Sequence, residues 1–139
     1  MDCLFNRRIP MTTSSVYIIK PASKTWINGI PRSYEIEYDP VFLSPYITER
    51  QYERLILTIN DVLFSFAPCD LCFCFGYLCC LCTAGLSFLC PYLCMRDAER
   101  ELLKIIKDEN RDLKKVGLQL TLRKKCSTSW LELRIISLS

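Results

Sequence analysis

The sequence contains no histidine among its 139 residues. That absence excludes Ser-His-Asp and Cys-His nucleophile systems, histidine metal ligands and the usual general base near neutral pH. A thioester-forming cysteine enzyme would have to use a lysine or a glutamate as its base instead. We therefore expect a protein that is not an enzyme, with no catalytic residue and no cofactor.

Two further features are missing. The first ten residues include Asp2, Arg7 and Arg8 but no apolar run of signal-peptide length, which predicts a reducing, cytosolic environment. The net charge is only +3 and is spread along the chain, without the dense Lys/Arg face that binding to a phosphate backbone requires. Nucleic acid is therefore not an expected partner.

The length and composition predict one folded domain. Apolar residues make up 50% of the chain and charged residues 24%, which is typical of a globular protein. We assign residues 1–14 to an N-terminal tail and residues 15–139 to a single domain.

Alternating apolar residues predict four strands, two before and two after the middle of the chain. The first two cover 15–20 and 34–39, where Tyr34, Ile36 and Tyr38 alternate with glutamates. The last two cover 116–122 and 131–135, with a polar turn region at 124–129.

Helical spacing predicts two helices between these pairs of strands. Thr48 followed by Gln51 has the form of a capping box, and apolar positions at helical spacing run from Tyr52 to Phe66, so a helix is expected over about 49–65. A second, charged helix is expected over 96–113. We predict an α+β fold in which helices cover one face of a small antiparallel sheet.

The middle of the chain is unusually rich in cysteine. Of ten cysteines, eight lie between positions 69 and 94, and residues 71–95 carry no charge. We predict that this Cys-rich segment, 69–95, forms a central apolar helix that associates with a membrane. The eight cysteines are Cys69, Cys72, Cys74, Cys79, Cys80, Cys82, Cys90 and Cys94.

Several structures are compatible with the Cys-rich segment. Twenty-five uncharged residues in a helix reach about 37 Å, enough to span a bilayer, although Gly76, Gly85 and Pro91 oppose a continuous span. The pairs Cys69/Cys72 and Cys79/Cys82 have the spacing of a four-cysteine metal site, but only six residues separate them. Disulfides and a buried core helix are further alternatives.

The interpretation that we favour is a surface helix whose cysteines accept palmitate from the cytosolic side. One acyl chain binds membranes reversibly and two hold a protein stably, so a cluster of acceptor thiols is physically sensible.

Five short motifs resemble one known family. In order along the chain they are the helix from Thr48 through Tyr52 to Asn60, LCCLCTAG at 78–85, ENRDL at 109–113, LRKKC at 122–126 and WLELRIIS at 130–137. Together they resemble the cysteine-rich hydrophobic domain (CHIC) proteins and, more distantly, the golgin subfamily A member 7 family, which shares a domain with the accessory subunit of the fungal Ras palmitoyltransferase. The similarity covers about 15–139.

The resemblance implies a palmitoylated, peripheral protein on the cytosolic face of Golgi, vesicle or plasma membranes. It also implies a partner, an Asp-His-His-Cys (DHHC) type protein S-acyltransferase, for which this chain is a non-catalytic accessory subunit. The acylated CxxC of the golgin branch falls on Cys79 and Cys82 with one residue gapped, which makes Cys80 an equal candidate. Cys72, Cys74, Cys90 and Cys94 are additional candidates for lipidation. The alternatives are an acylated trafficking scaffold without an enzyme partner and a four-cysteine metal-binding protein.

Overall fold

The computed structural model describes residues 9–23, 29–66, 74, 78–79, 82, 84, 89–125 and 128–136. These residues form an α+β fold with a three-stranded antiparallel sheet. The elements are β1 Val16–Ile19, α1 Pro40–Leu43, α2 Glu49–Phe66, α3 Leu89–Lys115, β2 Leu118–Lys125 and β3 Thr128–Ile135.

The sheet has the order β1-β3-β2, with β3 in the centre. Tyr17 of β1 and Leu120 of β2 both lie opposite Leu133 of β3. Because side chains alternate between the two faces of a strand, this register places the apolar positions of all three strands on one face. That face belongs to the same core as the buried sides of α2 and α3, so the prediction that helices cover one face is confirmed.

The predicted strand at 34–39 is wrong. Only its first residue makes a bridge, to Pro21, and the Glu35 N–H donates to the Lys20 carbonyl oxygen at 3.0 Å. Tyr34 is instead held by Asn60 of α2, whose side chain bonds both the N–H and the carbonyl of Tyr34, at 2.7 and 3.1 Å. This contact leads the chain away from β1, and the sheet has one N-terminal strand rather than two.

The two C-terminal strands are confirmed but are longer than the sequence predicts. Most of the predicted turn region at 124–129 is strand, and Lys125 pairs with Thr128. Polar side chains are favourable there because they meet opposite charges: the Arg123 guanidinium lies 3.4 Å from Glu132, and the Lys124 ammonium 2.9 Å from Glu99 of α3.

The helix α2 begins where the capping box predicts. The Gln51 N–H donates to the Thr48 hydroxyl at 3.3 Å, and the Thr48 N–H donates to the Gln51 side chain at 3.0 Å. Its buried residues are those at the predicted helical spacing, Tyr52, Leu55, Ile56, Ile59 and Leu63. The next position in that series, Phe66, is 37% exposed.

The helices α2 and α3 pack against each other and run antiparallel. Arg54, early in α2, lies within electrostatic range of Asp112, late in α3. Asn60, in the second half of α2, bonds to Tyr34, and Tyr34 lies within electrostatic range of Glu99 in the first half of α3. The C-terminal end of α2 and the N-terminal end of α3 therefore lie at the same end of the domain.

A second asparagine clamps α3 to the sheet. The Leu120 N–H donates to Asn110 Oδ1 at 2.7 Å, and Asn110 Nδ2 donates to the Leu120 carbonyl at 2.8 Å. Gly117, with φ of 84°, adopts the left-handed conformation that reverses the chain between α3 and β2. Asn110 belongs to the ENRDL motif, so the structure gives that motif a role in packing.

Candidate membrane-contact site

The shared end of α2 and α3 exposes large apolar side chains. Phe64 is 78% exposed and Phe66 37% at the end of α2, while Leu89 is 52% and Leu93 44% exposed at the start of α3. We call these four residues the apolar end. Because the helices run antiparallel, the two pairs lie at one end of the domain; in sequence the phenylalanines precede the Cys-rich segment and the leucines lie near its end.

The start of α3 carries exposed side chains at this end. Among the side chains that the structure describes, the first of α3 to be buried is Ala98, nine residues after the helix begins at Leu89. Nine residues of α-helix correspond to about 13 Å. Along this stretch the described side chains of Leu89, Leu93 and Arg96 are exposed, so these three lie outside the packed core.

This start of α3 corrects the predicted boundary at 96. The stretch 89–95, assigned from the sequence to the central apolar helix, belongs to α3. A sequence signal for the earlier start exists in Pro91, the third residue of α3, because proline is tolerated in the first turn, where its missing N–H would have no partner. The rest of the predicted apolar helix is not confirmed.

The predicted lipidation sites fall partly within the described residues. Cys74 and Cys82 are exposed and Cys79 is half-buried. Leu78, next to Cys79, is 74% exposed. Cys72 and Cys80 lie outside the described residues. Cys90 and Cys94 lie in the backbone of α3, and their side chains lie outside the described part of the structure.

Arginines follow the apolar residues of α3 on the same helix face. Leu89, Leu93, Arg96 and Arg100 are spaced by four, three and four residues, the spacing of one stripe on an α-helix. Arg96 and Arg100 are exposed. Arg100 forms an ion pair with Asp97 at 3.8 Å, in which both side chains are largely exposed, so it contributes little. A stripe that changes from leucine to arginine suits a boundary between acyl chains and lipid headgroups.

The basic residues Arg123, Lys124 and Lys125 are part of β2. Arg123 and Lys124 are both paired with carboxylates. Burial of Glu132 would raise its pKa, but hydrogen bonds from Trp130, Arg134 and Arg123 outweigh this effect and lower its pKa. The charges on this side of the sheet are therefore largely used within the protein.

The charged positions of α3 behave as a solvated helix face. Ion pairs between residues three apart join Lys104 to Glu101 and Lys115 to Asp112, all near the surface. Such exposed pairs contribute little to stability. Glu99 differs from them, because it joins α3 to β2 through Lys124.

No helix among the described residues is both long enough and apolar enough to cross a bilayer. The described residues also contain no group of three or more cysteine, aspartate or glutamate side chains close enough to hold a metal ion. Cys69 and Cys72, half of the four-cysteine set considered above, lie outside the described residues.

No family model, curated protein or solved structure matches the chain.

Proposed function

We propose that this protein is a palmitoylated, peripheral membrane adaptor without catalytic activity of its own. It attaches to the cytosolic face of Golgi, vesicle or plasma membranes through its Cys-rich segment. Its expected partner is a DHHC-type protein S-acyltransferase, which it stabilises as an accessory subunit.

The observation that carries the proposal is the apolar end. Four large apolar side chains from two helices are exposed at one end of the domain, two from just before the Cys-rich segment and two from near its end in sequence. Exposed apolar residues that are scattered singly are ordinary, but a group at one end of a domain is typical of membrane or protein contact. Exposed thiols at Cys74 and Cys82 in the adjoining segment are accessible acceptors for an acyl group.

The energetics favour a combined anchor. Burial of an apolar side chain such as Phe64 or Leu93 contributes about 1.5–3 kcal/mol at most, so the apolar end alone supports reversible contact. Each acyl chain adds about 0.8 kcal/mol per buried CH₂ group, and two chains give stable attachment. Transient contact through the apolar end would hold the thiols at the membrane surface, where a membrane-embedded transferase can acylate them.

The accessory-subunit role is supported by the family resemblance and by the division of the molecule into two parts. The body formed by the sheet and the packed halves of α2 and α3 stays outside the membrane when the apolar end is inserted. Its surface is then available to a transferase.

The experiment compares three variants with the wild type in cells. One replaces Cys79, Cys80 and Cys82 with serine. The second carries Phe64→Glu and Leu93→Glu, at exposed sites where a charge does not disturb the core. The third is a control, Val41→Glu, in α1, since Val41 is 89% exposed and lies before the opposite end of α2. The readouts are hydroxylamine-sensitive acyl exchange, membrane fractionation and co-purification with co-expressed DHHC transferases.

We expect the triple serine variant to lose most of its acyl signal and its stable membrane residence. The glutamate pair should lower acylation several-fold because contact precedes transfer, whereas the Val41 control should match the wild type. Full acylation and membrane residence of the triple serine variant would show that the assigned cysteines are wrong. A folded, acylated protein that co-purifies with no transferase would instead favour the scaffold function.

A further inference from the structure

A cleft lies along the outer edge of β1, on the side away from β3. It has a volume of about 340 Å³ and is bounded by β1 on one side and by residues 35–39 on the other. It exists because the contact of Tyr34 with Asn60 leads the chain away from the sheet after two backbone hydrogen bonds, from the Ala22 N–H to the Ser33 carbonyl and from the Glu35 N–H to the Lys20 carbonyl. We call it the edge cleft.

The edge of β1 is covered at both ends, by residues 12–13 at its start and by the bond from the Glu35 N–H to the Lys20 carbonyl at its end, and it is open between them. The N–H and carbonyl of Val16 bond to Thr13 at 3.4 and 2.9 Å, and the Ile18 N–H bonds to the Thr12 hydroxyl at 3.2 Å. Because the N–H and carbonyl of one residue in a strand point to the same side, the Ile18 carbonyl and the Lys20 N–H also face the cleft. Within the described part of the chain these two groups have no hydrogen-bond partner.

The edge cleft is acidic. Glu35, Glu37 and Asp39 line it, against a single cation, Lys20. In the described residues none of the three carboxylates forms an ion pair. Their charges act on Tyr17, which also lines the cleft. Burial raises the pKa of Tyr17, and the charges of Glu37, Asp39 and Glu35 raise it further.

The floor of the cleft is aromatic. Tyr17, Tyr38 and Tyr52 line it, with ring centroids 5.7 Å apart for Tyr38 and Tyr52 and 6.3 Å apart for Tyr17 and Tyr52. The hydroxyls of Tyr17 and Tyr38 donate to backbone carbonyls, at 2.7 and 2.9 Å, which fixes the rings. Tyr38 is the ring of the three that is partly exposed, since Tyr17 and Tyr52 are buried behind it. An accessible aromatic ring beside carboxylates attracts a cationic side chain both through the ring quadrupole and through charge.

We propose that the edge cleft binds an extended segment of a partner protein, which carries a lysine or arginine and adds to β1 as a further strand. The segment's backbone donates to the Ile18 carbonyl and accepts from the Lys20 N–H. Its basic side chain lies between the acidic wall and the tyrosine floor. Addition of a strand to a free sheet edge is a common mode of peptide recognition, in which backbone bonds give affinity and side-chain pockets give specificity.

This contact is separate from membrane attachment and does not depend on acylation. The cleft meets α2 at Tyr52 and the apolar end begins at Phe64, twelve residues or about 18 Å further along the helix. A protein held on a membrane by its apolar end can therefore still receive a peptide at the other end of α2.

The test measures binding of fluorescein-labelled, capped five-residue peptides to the purified full chain by fluorescence anisotropy. The first peptide alternates valine with lysine, and the second alternates valine with glutamate. The third is the valine–lysine peptide with its backbone amides methylated, which keeps the charge and removes the strand donors. The protein variants are Glu35→Gln/Glu37→Gln and, as a matched control outside the cleft, Glu53→Gln on the exposed side of α2.

We expect only the unmethylated lysine peptide to bind. The double glutamine variant should weaken it by about five- to ten-fold, a loss typical of two partly exposed charges, and added salt should weaken it further. The Glu53 control should bind like the wild type, and unchanged urea midpoints would show that both variants are folded. Three results would each overturn the proposal: no binding of the lysine peptide, equal binding of the glutamate peptide, or insensitivity to the double variant. Equal binding of the methylated peptide would refute strand addition.

Discussion

Asn110 offers the sharpest test of how the fold is held together. Its side chain joins the C-terminal part of α3 to the outer edge of β2 by bonding both backbone groups of Leu120, at 2.7 and 2.8 Å. An N–H needs an acceptor and a carbonyl needs a donor, so a primary amide is well suited to this position. The substitution Asn110→Ala removes both bonds and leaves the helix backbone intact.

The expected magnitude follows from two opposing effects. Each hydrogen bond contributes a net of about 0.5–1.5 kcal/mol, and both bonds are partly buried, so their loss costs about 1–3 kcal/mol. Alanine favours a helix over asparagine by about 0.5 kcal/mol, which offsets part of the loss. The free energy of unfolding should therefore fall by about 1–2 kcal/mol, a large share of the 5–15 kcal/mol that is usual for a domain.

The measurement is urea unfolding of the purified protein, followed by circular dichroism, with the midpoint and the m-value fitted separately. The control is Lys107→Ala, an exposed site on the same helix, which should change stability by less than about 0.5 kcal/mol. If Asn110→Ala were as stable as this control at an unchanged m-value, the clamp would contribute nothing net. The assignment of its role to packing would then be refuted.

Two further substitutions test local contacts. Thr48→Ala removes the capping box with Gln51 and should lower the free energy of unfolding by about 1 kcal/mol, whereas Thr48→Ser should match the wild type; equal stability of all three proteins in urea would contradict the capping role. The pKa of Glu132 is lowered in the folded state, so its contribution is present above the unfolded-state pKa, about 4.5, and is lost as the pH falls through the folded-state value. Glu132→Gln should therefore be less stable than the wild type at pH 7, with a smaller difference at pH 3, and an unchanged difference between the two urea midpoints would contradict this linkage.

The two proposed surfaces lie toward opposite ends of α2. The apolar end consists of large apolar side chains that are exposed rather than packed in the core. The edge cleft lies where the chain leaves the sheet after Tyr34. If both proposals hold, the protein would display a peptide-binding edge at a fixed height above the membrane.

Local features of the sequence were enough to predict much of the fold. The capping box at Thr48 and the 3.6-residue spacing that follows it identify α2, the short apolar run at 15–20 identifies β1, and alternation identifies β2 and β3. These signals succeed because capping and side-chain periodicity depend only on neighbours within a few residues. The concentration of cysteines in one uncharged segment is likewise visible without any coordinates.

Long-range contacts decided the rest. Residues 34–39 alternate like a strand, but Tyr34 makes two hydrogen bonds with the side chain of Asn60, 26 residues further along the chain. Because of this contact residues 35–39 do not pair with β1, and the edge cleft lies between them. Phe66 continues the apolar spacing of α2 but is 37% exposed, whereas Leu63, three residues before it, is buried. Whether an apolar side chain is buried depends on which element packs against it, so only the antiparallel pairing of α2 and α3 brings Phe64 and Leu93 to one end of the molecule.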